Sequence, residues 1–139
     1  MSIHTPVKQR GIYFITFTCF NWLPLIEITK GCDLVYNFFD VLKENGNDVL
    51  GFVIMPNHVH LLLHYTNTGQ SLNTIIGNGK RFIGYDIVKR LKERGEVVLL
   101  NQMKEAVTAK DRERNKRHEV WKGTFDVKQC EQRNSFFRN

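Results

Sequence analysis

Apolar positions change their spacing several times along the chain, and each change marks an element. Residues 12–20, IYFITFTCF, are dense in β-branched and aromatic types and predict a buried strand. Asn21 to Pro24 interrupt it. From Lys30 to about Asn45, the apolar residues Leu34, Val35, Phe38, Phe39 and Leu42 recur at spacings of one, three and four. That is one apolar face of a helix, which the ENGND stretch ends. VLGFVIMPNHVHLLLHY then holds two short apolar runs around Pro56-Asn57 and predicts two strands joined by a turn.

A second helix is predicted to open at Ser71, an N-cap, and to stop at Gly95, with Leu72, Ile75, Ile76, Phe82, Ile83, Ile87, Val88 and Leu91 in its buried stripe. Gly77, Gly79 and Gly84 weaken it and leave room for a kink near 77–79. VVLLNQM reads as a strand leading into a helix. KDRERNKRHE carries charge with no apolar face and reads as a solvated helix end or loop, DNA contact being the other reading. VWKGTFDVKQC restores an apolar pattern and suggests a last strand. The order β-α-β-β-α-β predicts an α+β fold: a ferredoxin-like antiparallel sheet with helices packed on one face, in one domain over residues 1–139.

Composition narrows the function classes. The hydrophobic fraction of 42% and charged fraction of 24% are ordinary for a soluble domain. A formal net charge of +6 and a pI near 9.4 favour a polyanionic partner. Cys19, Cys32 and Cys130 form no CxxC pair, which argues for free thiols in a reducing compartment rather than a disulfide framework or zinc knuckle. The N-terminus has no signal-peptide pattern, and no apolar run approaches the roughly 18 residues of a membrane span. A cytoplasmic, nucleoid-associated protein with no membrane partner is expected.

The chemistry-bearing residues sit in the central strand pair. His58 and His60 are two apart, so strand alternation sends both imidazoles to one face while Val59 faces the other way. Two imidazoles side by side can share a divalent cation and leave positions open for substrate oxygens. His64 shares the parity, but stands roughly 13 Å beyond His60 at about 3.3 Å per residue, too far for the same ion.

GFVIMPNHVHLLL resembles the signature of the HUH single-tyrosine transposases (IS200-like), the group that includes the REP-associated tyrosine transposases. His58-Val59-His60 matches the histidine–hydrophobic–histidine strand, and Met55-Pro56-Asn57 the turn before it. YFITFTCFNWLPLI, KGCDLVYNFFDVLKENG and SLNTIIGNGKRFIGYDIVKRL are similar to the family's first strand, first helix and long second helix. VWKGTFD is similar to its aromatic strand, W-x-x-x-(F/Y)-D. The resemblance covers nearly the whole chain, least clearly over residues 96–118.

That resemblance implies a DNA transposase that binds single-stranded or hairpin DNA and works as a homodimer. A tyrosine hydroxyl attacks the scissile phosphodiester to give a 5′-phosphotyrosine, assisted by Mg²⁺ or Mn²⁺ held by His58, His60 and a third polar ligand. The family's tyrosine follows the aromatic strand. Here that region reads DVKQCEQRNSFFRN, without tyrosine, so the chain is expected to lack the nucleophile helix; Glu131 or Gln132 would be third-ligand candidates. Tyr85, set among basic residues, is the tyrosine to test as a substitute. Lys8, Arg10, Lys80, Arg81, Lys89 and Arg90 are the expected DNA contacts. A catalytically inactive hairpin-DNA-binding protein is the alternative. A phosphoesterase using a water nucleophile would need carboxylates beside the histidine pair, and Asp48 lies ten residues before His58.

Overall fold

The structure is a computed structural model that describes residues 5–130. Strand β1 (Gly11–Thr18) leads through a 3₁₀ turn (Phe20–Trp22) to the short helix α1 (Leu25–Ile28) and then α2 (Cys32–Glu44). The hairpin β2 (Asp48–Ile54) and β3 (His58–Tyr65) follows, then the long α3 (Leu72–Glu93), α4 (Val97–Glu105), α5 (Ala109–Glu113) and β4 (Asp126–Gln129). The sheet order is β2-β3-β1-β4 with every neighbour antiparallel. This is the strand order of a split β-α-β pair, in which β1 and β2 run parallel with β3 between them, and it confirms the ferredoxin-like expectation.

Alternation divides the sheet into two unlike faces. Tyr13, Ile15 and Phe17 of β1 and Val59, Leu61, Leu63 and Tyr65 of β3 are buried against the helices. α2 contributes Leu34, Val35, Phe38, Phe39 and Leu42, and α3 contributes Leu72, Ile75, Ile76, Ile83, Ile87 and Leu91; of the stripe expected on α3, Phe82 is instead exposed and Val88 only partly buried. The opposite face carries the intervening residues, and among the described residues no helix is laid over it.

α3 is one unbroken helix, so no kink occurs near residues 77–79. Ser71 caps its start, its side chain accepting from the Thr74 amide at 3.2 Å. Gly95 follows its end with φ of 70°, a left-handed position suited to glycine. Gly79 is present because of packing. A Cβ there would stand 2.2 Å from the Phe38 ring, so only glycine lets α2 and α3 approach this closely. VVLLNQM is wholly helical, as α4, rather than a strand leading into a helix. In the charge run, α5 stops at Glu113, and residues 114–119 pass alongside α3.

Candidate metal and nucleic-acid site

His58, His60 and His64 emerge on the open face of the sheet, alternating with buried Val59, Leu61 and Leu63. The rings of His58 and His60 are 4.7 Å apart between centroids and inclined at 76°. Both are half-buried, and both are held by a neighbour at Nδ1. Asn57 Oδ1 lies 2.7 Å from His58 Nδ1, and Thr16 Oγ1 lies 2.8 Å from His60 Nδ1.

The Asn57 contact defines a tautomer. Its Nδ2 donates to the Trp22 carbonyl at 3.3 Å, so Oδ1 is the atom turned toward His58. An amide oxygen only accepts; His58 therefore donates from Nδ1 and keeps the Nε2 lone pair free for a cation. Burial, and secondarily the neighbouring His60, holds the His58 pKa below the usual imidazole value, which favours this neutral form. Thr16 can serve His60 in the same way, its hydroxyl accepting from Nδ1–H. The Phe14 ring stacks on His60 at 5.3 Å and fixes its plane from the other side.

Asn57 directly precedes His58, whereas Thr16 and Phe14 come from β1, which the sequence keeps apart from the pair. Thr16 is the direct cross-strand partner of His60, and on its other side it pairs with Asp126. Val53, Thr16 and Asp126 thus share one row with His60 across all four strands. Asp126 reaches this row because Trp121 and Phe125 are buried before it. The Trp121 indole donates to the Lys80 carbonyl at 2.7 Å and packs edge-on against Phe17. Asn57 depends on the turn after β1, where Asn21 and Trp22 take left-handed backbone conformations with φ of 53° and 56°. Such strain at a bulky residue is uncommon and concentrates near working sites. Sequence reading gave Thr16, Asn57 and Asp126 no role beside the histidines. The Pro56-Asn57 turn and the closing aspartate of the aromatic-strand motif offered signals, but their placement by His58 and His60 depends on register, a tertiary property.

The donor chemistry fits two ligands of a divalent cation. Among the described residues, no cluster of three or more His, Cys, Asp and Glu could complete a metal site. Glu131 and Gln132 lie outside the described residues. His64 faces Asp48 at 3.5 Å, and Asp48 is the cross-strand partner of His64 rather than of the pair, so the carboxylate that a water-using phosphoesterase would need stands elsewhere.

The tyrosines and basic residues scatter. Tyr13 and Tyr65 are buried on the helical side of the sheet, Tyr36 packs against Phe39 and Phe52, and Tyr85 is exposed on α3. None of the four shares the histidines' face. This corrects the substitution of Tyr85 as nucleophile within one chain: a whole sheet separates it from His58 and His60. Lys8 and Arg10 are exposed before β1, and Arg10 is roughly 20 Å along that strand from the row of His60, at about 3.3 Å per residue. Arg81 and Lys89 are exposed on α3. Lys80 and Arg90 serve the fold. Lys80 is buried, with Nζ donating to the carbonyls of Gly123 and Thr124. Arg90 makes a bidentate pair with Asp33 at 2.6 and 2.9 Å and also donates to the carbonyls of Thr29 and Lys30. Among the described residues, no helix is long and apolar enough to cross a membrane.

No family model matches this chain, and no curated protein matches it. Solved structures do. The structure of a REP-associated tyrosine transposase bound to a REP hairpin aligns over 98% of this chain, with 12% identity and a TM-score of 0.53. The chain spans 66% of that protein's length. A candidate transposase from Deinococcus radiodurans aligns over 97% of this chain and 90% of its own, with 18% identity and a TM-score of 0.45, an agreement too loose to argue from. At these identities the likeness concerns the backbone: the chain has the fold of a REP-associated tyrosine transposase.

Proposed function

We propose that this chain is a DNA-binding domain of the single-tyrosine transposase type, taking single-stranded or hairpin DNA, with His58 and His60 as the cation-holding half of a strand-cleavage site. One observation carries the reading. Two imidazoles stand side by side on the open sheet face with their Nδ1 atoms engaged by Asn57 and Thr16, which leaves both Nε2 atoms for one ion. Mg²⁺ or Mn²⁺ bound there would draw charge from a scissile phosphodiester. Asn57 and Thr16 fix the two rings, Phe14 limits water on one side of His60, and the exposed strand face admits a polynucleotide. A homodimer belongs to the same reading and is checked by sedimentation velocity.

The tyrosine attack needs a nucleophile beside the pair, and all four tyrosines of the sequence lie on the helical side of the sheet or within the helices. That observation favours the second reading, a domain that binds hairpin DNA without cutting it. The deciding experiment mixes the protein with labelled single-stranded hairpin DNAs and Mn²⁺ and looks for a denaturant-resistant protein–DNA adduct. An adduct establishes a nucleophile within the chain, and it should persist in Tyr85→Phe. Binding without adduct establishes the silent domain. Absence of any DNA binding overturns both.

A further inference from the structure

Away from the histidines, on the helical side, a groove of about 830 Å³ runs between α3 and the segment 114–125. α3 supplies one wall through residues one helical turn apart, from Asn73 through Gly77, Arg81, Tyr85 and Lys89 to Lys92. The facing wall is the basic stretch Arg114 to His118, continuing into Trp121 and Phe125. Trp121 fastens this wall to α3 through its bond to the Lys80 carbonyl, and Lys80 fastens it again through Gly123 and Thr124. The groove is therefore built from both sides.

Its charge is one-sided. Seven lining side chains are Lys or Arg, and the one acidic residue, Glu119, already pairs with Lys116. The resulting excess equals the formal net charge of +6 carried by the entire sequence. His118 registers the local field: burial first, then Lys92, Lys104 and Arg117, hold its pKa down. Aromatic surface adjoins the cations. Tyr85 is 62% exposed at the groove edge, its ring 6.1 Å from that of Phe82, and the Arg81 guanidinium lies 5.2 Å over Phe82. Gly77 lines the groove with nothing within 4 Å of where a Cβ would stand, so the channel is open there.

We propose that this groove between α3 and residues 114–125 takes a single-stranded stretch of DNA, its phosphates between the two basic walls and a base on the Tyr85–Phe82 platform. The proposal rests on the DNA-binding reading above. A row of cations flanked by exposed rings, set between a helix and a loop, suits successive phosphates and unstacked bases. Residues 114–119 of the charge run, read from sequence as solvated, become half of a binding surface because Trp121 folds them against α3.

The test measures fluorescence anisotropy of a labelled oligothymidylate, and of a blunt duplex, with the full chain at several salt concentrations. The wild type should prefer the single strand at least tenfold. Arg81→Glu with Lys89→Glu on one wall, and separately Arg114→Glu with Arg117→Glu on the other, should each weaken single-strand binding at least tenfold. Each should lower the slope of log K against log salt by about 1.4, for two phosphate contacts at roughly 0.7 each. The charge-keeping pair Arg81→Lys with Lys89→Arg should bind as wild type, and so should Lys30→Glu with Lys43→Glu, which makes an equal charge change on the α1–α2 side. Arg81→Gln with Lys89→Gln provides a milder version should reversal disturb folding. Wild-type binding that survives both wall variants, falls equally in the α1–α2 control, or favours duplex overturns the groove and leaves the DNA-binding reading standing. Failure of the wild type to bind oligothymidylate overturns the groove, and failure to bind a labelled hairpin DNA as well overturns the DNA-binding reading.

Discussion

Asn57 and Thr16 touch no substrate in this arrangement, yet they decide what His58 and His60 can do. Each occupies an Nδ1 and so leaves Nε2 as the nitrogen through which the proposed cation would be held. The expected consequences separate ligand from support. His58→Ala combined with His60→Ala should abolish Mn²⁺ binding in calorimetry; stoichiometric binding retained by that double variant would sink the metal site. Asn57→Ala and Thr16→Val should keep two coordinating rings but weaken Mn²⁺ binding by about 10- to 100-fold, the usual cost of losing such a partner. Affinity within twofold of wild type in both would show that the rings need no anchoring.

At the scale of the element, α3 shows two glycines of opposite meaning. Gly79 lies under Phe38 of α2, where a Cβ would overlap the ring, and Gly77, two residues earlier, faces open space in the basic groove. Helix propensity alone favours alanine over glycine by roughly 0.8–1 kcal/mol at either position. Gly77→Ala should therefore stabilise the protein by about that amount in urea unfolding. Gly79→Ala should destabilise it by about 1–3 kcal/mol, since overpacking forces Phe38 off its rotamer or pushes the helices apart. Equal shifts for the two would mean that α2 and α3 are not in the contact described. The β2–β3 hairpin works the same way. Its turn residues supply Asn57, while its alternation puts every second residue of β3 into the core and every intervening histidine on the open face.

Across the whole molecule the two faces of one sheet carry different chemistry, the histidine pair on the open face and the basic groove on the helical side. Lys80 reports how the helical side is tied together. Burial first, and the nearby Lys116 next, lower its pKa to about 8 against an ordinary 10.5, with Asp126 and Glu119 pulling the other way. Between those values the unfolded chain holds a proton that the folded chain has released, so stability from this group rises as pH climbs from about 8 toward 10.5 and is level below 8. Urea titrations at pH 7 and pH 9.5 should show that rise in the wild type and lose it in Lys80→Met. An unchanged pH difference in the variant would show that Lys80 is not held as described.

Much of this was legible without coordinates, for a reason that can be stated residue by residue. Period-two and period-3.6 spacing of apolar residues follows from backbone geometry, so β1, α2, the hairpin and α3 were readable from their own residues, as was the shared face of His58 and His60. Propensity misled at Gly77 and Gly79: close packing against Phe38 of α2 calls for glycine at 79, and burial of the α3 stripe carries the helix through both. It misled again at VVLLNQM, a β-branched start that tertiary context makes helical as α4. Basic residues looked alike in the sequence, yet Lys80 and Arg90 are taken up by carbonyls and Asp33, while Arg81 and Lys89 stay exposed. The sequence by itself determined β1, α2, the hairpin, α3 and the histidine pair, since all are local consequences of period. Tertiary structure alone decided that Thr16 from β1 orients His60, that Tyr85 lies across the sheet from it, and that residues 114–118 face α3, because each depends on strand order and on where Trp121 packs.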